Sequence, residues 1–184
     1  MRIPKEDIDL FFKLHPLLLQ YVNQRLNIFP KIKTAESLRT SGVENVNRIR
    51  AELWGKTEYI TDFISGNPAD LPEDELALIA GWKHFLKGRF YILRHLKKYS
   101  IFLTEAEPTK AYGVYSLNTP LNEMFWKPPV YMEAVLIPFR DHIIYDGILY
   151  PYSITFGPGF CFDLNESYRE AKNKFGIIEQ ISVH

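Results

Sequence analysis

Residues 130–162 constrain the fold of this chain more than any other stretch, since they hold its densest run of strand-forming residues and its clearest turn signals. Asp146 and Gly147 separate two apolar and aromatic runs, 143–145 and 148–150. An Asp-Gly pair in this setting is typical of a two-residue hairpin, whose type I′ turn needs positive φ at both central residues. The stretch therefore predicts antiparallel strands at the centre of the fold.

A second two-residue turn competes with the first. Arg140 and Asp141 could join strand 130–139 to a strand that begins at His142. If both turns form, residues 142–145 become the middle strand of a three-stranded meander. Turn chemistry favours the Asp-Gly pair, and the sequence leaves both arrangements open.

If only the Arg-Asp turn forms, Phe139 pairs with His142 and Val135 with Asp146. Glu133, His142 and Asp146 then share one face, because same-face residues recur at every second position. Such a set could bind a divalent metal or do acid–base work. We favour the simpler interpretation, a strand with polar ends and a turn aspartate, and therefore predict no metal and no cofactor.

Helical periodicity and helix-capping patterns fill the first half of the chain. Helices are predicted over four segments: 4–28, 34–40, 43–65 and about 71–86. Pro16 is expected to kink or divide the first helix, because proline removes a backbone donor and disfavours helical geometry in the residue before it. Capping boxes are predicted at Ser41–Glu44 and Asp70–Glu73. Gly66–Pro68 supplies a stop signal.

The character of the sequence changes near Gly88, after which β-branched and aromatic residues dominate. Strands are predicted at 90–93, 99–103, 112–115, 130–139 and 148–156. Gly157–Gly159 is interpreted as a loop between strands, which leaves Cys161 in an apolar strand as a buried, inert thiol. A third capping pattern, Asp163–Glu166, begins a helix that Gly176 ends.

Runs of helices followed by runs of strands, without alternation, indicate an α+β fold with an antiparallel sheet. We predict N-terminal helices packed on a bent antiparallel β-sheet or partly open barrel, with a C-terminal helix. The whole chain, 1–184, is predicted to be a single domain, with a helical region over residues 1–87, a β-rich region over 88–162 and a closing helix over 163–176.

The composition limits the cellular compartments and the classes of partner that the sequence predicts. The 22 basic and 22 acidic residues give a net charge of zero, which provides no global attraction to nucleic acid or an anionic membrane. Cys161 is the single cysteine, so an intramolecular disulfide and a cysteine metal cage are both excluded. The opening residues lack the apolar segment of a secretory signal, and no apolar run suits a spanning helix. A cytoplasmic protein without a membrane partner is expected.

Charge is concentrated between Trp82 and Lys98, where aromatic residues alternate with cations and no acid occurs. The basic residues are Lys83, Lys87, Arg89, Arg94, Lys97 and Lys98. Cations beside stacking aromatics are typical of single-stranded nucleic-acid binding. We favour a helix end, where cations suit the dipole, followed by a solvated strand and a lysine turn.

Aromatic residues are dense in and after the central stretch: Phe139, Tyr145, Tyr150, Tyr152, Phe156, Phe160 and Phe162. They could line a ligand pocket or a stacking surface. Core and sheet-face packing is the interpretation we favour, because strands are enriched in such residues.

The segments LIPF (136–139) and IIYDG (143–147), followed by Phe156 and Gly157, resemble a strand pattern of an uncharacterised bacterial protein family. The upstream FYILRHLKKYSIFL is similar in character to the segment that precedes this pattern. The resemblance covers about residues 85–160. It implies a domain of unknown function and no catalytic residue.

Three function hypotheses follow. No motif reaches the specificity of a catalytic site, so the first is a non-enzymatic binding or interaction protein of the bacterial cytoplasm, with a protein or small ligand as its partner. The second is a nucleic-acid-associated protein that uses residues 82–98. The third is a metal-dependent or acid–base enzyme that uses Glu133, His142 and Asp146. The sequence does not predict the oligomeric state.

Overall fold

The computed structural model describes residues 2–182 and confirms an α+β fold that ends with a long helix before a last short strand. The helices are α1 (Lys5–Leu26), α2 (Ala35–Thr40), α3 (Val43–Leu53), α4 (Glu58–Gly66), α5 (Glu73–Gly81), α6 (Leu121–Met124) and α7 (Pro158–Phe175), with a 3-10 turn at Trp82–His84. The strands are β1 (Leu86–His95), β2 (Ser100–Thr104), β3 (Ala111–Tyr115), β4 (Val130–Phe139), β5 (His142–Pro151) and β6 (Ile177–Ile178).

These elements form two compact units. The helical unit is Lys5–Lys83, and the strand unit joins the segment before Lys5 to the chain from His84 onward. The Ile3 N–H donates to the carbonyl oxygen of Ser116 at 3.1 Å, which ties that first segment to the strand unit. The boundary lies close to the predicted change of character near residue 88, and the single-domain description stays a prediction.

Helix α1 is the centre of the helical unit, because it contacts α2, α3 and α4. Phe11, Leu14, Leu18 and Val22 are fully buried along one stripe. The helix continues through Pro16, so of the two expected effects of this proline the division into two helices is wrong and the kink stays a prediction. Burial of apolar residues on both sides of the proline compensates for the hydrogen bond that it removes.

The single helix predicted over 43–65 is also wrong. Helix α3 ends at Leu53, and four residues, 54–57, which include the buried Trp54 and the exposed Gly55, separate it from α4. Because the helix is interrupted here, Leu53 and Trp54 before the break and Ile60 after it are all buried. Tertiary burial thus overrides a continuous helical pattern. The predicted stop is confirmed, since Asn67 has the left-handed geometry of a helix cap.

Two predicted capping boxes do not form. Ser41 Oγ donates to the Leu38 carbonyl at 2.8 Å and so completes α2, while Gly42 precedes α3 without a side-chain cap. Helix α5 follows Pro72, which is not a side-chain cap either, and it is shorter than predicted because residue 86 already belongs to β1. The capping box that forms belongs to α2, where Thr34 and Ser37 bind each other's backbone N–H.

The strands pair in a closed ring. Antiparallel pairings join β1 to β2, β2 to β3, β1 to β4 and β4 to β5. A parallel pairing of β3 with β5 closes the ring, and β6 adds a second parallel pairing to β3. The sheet is therefore mixed, where the sequence predicted a purely antiparallel one.

Strands β4 and β5 form one long hairpin around Arg140 and Asp141. Arg140 has φ 51°, which a two-residue turn requires at its first central position. The predicted turn at Asp146 and Gly147 is wrong: these residues lie in a β-bulge, where the register between the strands shifts and Gly147 takes φ 92°. Beyond the Asp-Gly pair β5 stays paired with β4, from Leu149 opposite Ala134 to Pro151 opposite Met132, and this continued pairing outweighs the local turn signal.

Strand β5 ends at Pro151, so the strands predicted through 156 and around Cys161 are wrong. Gly157 precedes α7, and Pro158 occupies its first turn, where a missing N–H costs little. Cys161 is accordingly on a helix and half-buried. The helix begins at Pro158, so the predicted start at Asp163 with its capping pattern is wrong, whereas the end at Gly176 is as predicted.

Gly113 of β3 packs against the ring of Tyr99. A Cβ added at Gly113 would lie 3.0 Å from atoms of the Tyr99 ring. The hydrogen bond from the Tyr99 hydroxyl to Glu179 helps to hold this ring in place. We expect Gly113→Ala to lower the free energy of unfolding by about 1–3 kcal/mol through overpacking. Gly88→Ala is the matched control, because its added Cβ would find no atom closer than 3.9 Å. Equal urea denaturation midpoints for the two variants would contradict this packing.

His15 is buried between aromatic rings in the helical unit. It stacks on Phe11 at 5.1 Å and on Trp54 at 6.2 Å between ring centroids. Burial, and secondly the positive charge of Arg50, lower the pKa of His15 from 6.5 to about 3. The unfolded chain therefore binds a proton below pH 6.5 that the folded protein does not, and stability is lost as the pH falls from 6.5 towards 3.

We expect His15→Phe to lose less stability than the parent protein over this pH range, since phenylalanine keeps the stacked ring and has no proton to bind. Urea denaturation of both proteins at neutral pH and at about pH 4.5 measures the difference. Identical losses on acidification would show that His15 does not control the acid stability.

Candidate binding surface

Three tyrosines form a row across neighbouring strands. Tyr91 of β1 lies opposite Tyr131 of β4, and the Tyr152 N–H donates to the Tyr131 carbonyl at 2.9 Å. Their rings stack with centroids 4.8 and 5.0 Å apart and planes within 28° of each other. Directly opposed residues of a sheet have this spacing, so the strand register itself builds the tyrosine row.

Two phenylalanines extend the tyrosine row towards α7. Phe156 and Phe160 stack at 4.8 Å, and both rings contact Tyr91, at 5.9 and 5.7 Å. Tyr152 and Phe160 are each 40% exposed, and Phe162 on the same helix is 64% exposed. We call the tyrosine row with Phe156 and Phe160 the aromatic surface. Its rings contact one another, and Tyr152 and Phe160 are open to solvent, whereas Tyr91 and Phe156 are half-buried and Tyr131 is buried.

Charged side chains border the tyrosine row on one side. Arg89 lies opposite Glu133 in the register of β1 and β4, and its Nε forms an ion pair with Glu105 at 2.8 Å. The Tyr131 hydroxyl donates to Glu105, and the Tyr152 hydroxyl donates to Glu133 at 3.2 Å. Each carboxylate thus holds one phenol of the row in place.

The same contacts keep the phenols protonated. Burial first, and then the hydrogen bond and charge of Glu105, raise the pKa of Tyr131 to about 12. Burial and Glu133 raise the pKa of Tyr152, and burial and Glu105 raise that of Tyr91. At neutral pH the tyrosine row is a set of neutral hydrogen-bond donors beside fixed charges.

Local sequence patterns identify only some members of this surface. Phe139 and Tyr145 are core residues, as the packing interpretation predicted, whereas Tyr152 and Phe160 are exposed. Tyr91 and Tyr131, which hold the surface together, were not singled out as a pair. The signal that could have found them is the antiparallel pairing of their two segments, which depends on a register that no local pattern specifies.

The structure places the candidate acid–base residues in three different surroundings. Glu133 is exposed and binds the Tyr152 hydroxyl, His142 stacks on Tyr115 at 4.3 Å, and Asp146 is fully buried. Across residues 2–182, no group of three or more His, Cys, Asp and Glu side chains is placed to hold a metal ion. The enzyme hypothesis stays a prediction.

The six basic candidates are divided between the two units and between different contacts. Lys83 belongs to the helical unit and the other five to the strand unit. Three of these five contact neighbouring side chains: Arg89 pairs with Glu105, Arg94 contacts Asn165 and Tyr168, and Lys98 pairs with Glu179. Lys87 and Lys97 are exposed. The nucleic-acid hypothesis stays a prediction, and ion pairs with carboxylates weaken the attraction to phosphate on which it depends.

No protein-family model, no curated protein and no solved structure matches the chain. The resemblance of about residues 85–160 to a bacterial family with an LIPF and IIYDG pattern therefore stays a prediction. Among residues 2–182, none of the helices combines the length and the apolar character needed to cross a membrane.

The raised pKa of Tyr131 predicts a loss of stability in alkali. The pKa of Tyr131 in the folded protein is about 12, above the ordinary 10.0. The stabilisation of the folded protein that this shift represents is therefore complete below pH 10.0 and is lost as the pH rises towards 12. We expect Tyr131→Phe to lose less stability than the parent protein between neutral pH and about pH 11. Urea denaturation at both pH values measures this. The other tyrosines are common to both proteins, so an equal loss would contradict the assignment.

Proposed function

We propose that this protein is a non-enzymatic binding protein that recognises another protein through its aromatic surface. The observation that carries the proposal is the exposure of stacked rings that are already fixed in position. Aromatic residues are enriched in protein interfaces and dominate their binding energy. Rings held by stacking lose little conformational freedom on binding, so most of their buried area contributes to affinity.

The titratable groups around the aromatic surface suit recognition better than proton transfer. Tyr131 keeps its proton to a pH near 12, and Arg89 and Glu105 form an ion pair. A general acid or base works best when its pKa lies near the working pH. Groups with fixed charge and fixed protonation are suited instead to orienting a partner.

We also propose the cytoplasm of a bacterium as the location. The free thiol of Cys161 is half-buried on α7, and a reducing compartment preserves such a thiol. The bacterial origin is supported by the resemblance of the central strands alone. Both statements are proposals that accompany the binding function.

Site-specific photo-crosslinking tests the binding function. The photoreactive amino acid p-benzoylphenylalanine is placed at Phe160 or Tyr152 in the cells that naturally produce the protein. Val43 is the control position, because it is 65% exposed and lies in the helical unit. We expect a discrete covalent adduct from positions 160 and 152 and none from position 43. Absence of an adduct at 160 and 152, or the same adducts at all three positions, would overturn the proposal.

A further inference from the structure

Two phenol–carboxylate pairs lie side by side next to the tyrosine row. In the first, Tyr131 donates to Glu105, and Glu105 also pairs with Arg89. In the second, Tyr152 donates to Glu133. Arg89 lies opposite Glu133 in the strand register, but its Nε forms its ion pair with Glu105. The two pairs therefore differ in that the arginine contacts the Glu105 carboxylate, whereas the exposed Glu133 binds the Tyr152 hydroxyl.

The ring of Tyr152 has one covered side and one open side. It stacks on Tyr131 on one side. On the other side no strand follows within the described residues, because β3 pairs with β5 only at Ile143 and Ile144. The 40% exposure of Tyr152 agrees with an open ring face. A planar group could therefore continue the stack of the tyrosine row.

We infer that Glu133 and Tyr152 bind an arginine side chain of a partner protein. Its guanidinium would stack on the open face of Tyr152 and form two parallel hydrogen bonds with the Glu133 carboxylate. Arginine fits both contacts, whereas lysine is a compact charge that cannot make the bidentate contact. This inference rests on the proposed binding function and names the chemistry that the partner presents.

Other ligands fit this site less well. Glu133 and Glu105 repel phosphate, which disfavours nucleic acid. Stacking within the row covers the faces of Tyr91 and Tyr131 that a sugar ring would need. Addition of a partner strand to β5 is also disfavoured. The Tyr152 N–H points to β4, so position 151 would point its N–H to the open edge, and Pro151 has none.

Peptide binding tests the arginine contact directly. The probes are two fluorescein-labelled peptides of equal length, one of alternating glycine and arginine and one of alternating glycine and lysine. Fluorescence anisotropy measures their affinity for the full chain. We expect the arginine peptide to bind more tightly than the lysine peptide. Glu133→Gln should weaken binding of the arginine peptide by about tenfold, the effect of losing one charged hydrogen-bond partner.

Glu170→Gln is the matched control, because it removes the same charge from an exposed position on α7. It should leave the affinity unchanged. A second variant, Tyr152→Leu, removes the stacking face and should also weaken binding, and near-UV circular dichroism checks that each variant is folded. Equal affinity for both peptides, equal losses in Glu133→Gln and Glu170→Gln, or no binding of the arginine peptide would overturn the inference.

The two proposals fail in different ways. If adducts form from position 160 but the arginine peptide does not bind, the arginine contact is wrong and the binding function stands. If no adducts form from 160 or 152, the binding function itself is wrong. Analytical ultracentrifugation tests whether the protein binds a second copy of itself. If the parent protein self-associates and Glu133→Gln does not, the surface binds a second copy of this chain, and the proposal of a separate partner protein is wrong.

Discussion

The strand unit depends on the short parallel pairing that closes its ring. Val114 and Tyr115 of β3 lie beside Ile143 and Ile144 of β5, and these two contacts connect the beginning and the end of a path through five strands. Parallel pairing is possible here because β5 starts at the hairpin turn and runs in the direction of β3. All four residues are nearly or completely buried, so burial reinforces the few hydrogen bonds of this junction.

The β-bulge at Asp146 and Gly147 sets the register between β4 and the last part of β5, next to the aromatic surface. Before the bulge, Leu136 lies opposite Tyr145, and after it Ala134 lies opposite Leu149. Without the shift, Tyr150 would lie opposite Tyr131, and Tyr152 would lie beyond the row. The bulge thus selects which tyrosine stacks on Tyr131 and lets the Tyr152 hydroxyl reach Glu133.

The sequence predicts those structural features that are determined by residues close together in the chain. Strand formers after Gly88, the stop at Asn67 and the helix end at Gly176 are all recognised because the determining residues are neighbours in the chain. The Asp146 turn fails, because β5 stays paired with β4 beyond the Asp-Gly pair, and this contact joins residues that are not neighbours in the chain. The aromatic surface is missed for the same reason: stacking of Tyr91 on Tyr131 follows from a register, which local propensity does not contain.

The hydrogen bond from Ile3 to Ser116 gives the chain an unusual connectivity. Because the residues before Lys5 already belong to the strand unit, the helical unit is an insertion, covalently attached to its host at both ends. A cut inside it would leave two fragments that each retain residues of the strand unit, so contacts within both units would oppose their separation. A truncation that removed the helices together with the residues before Lys5 would therefore also remove the hydrogen bond from Ile3 to Ser116 in the strand unit.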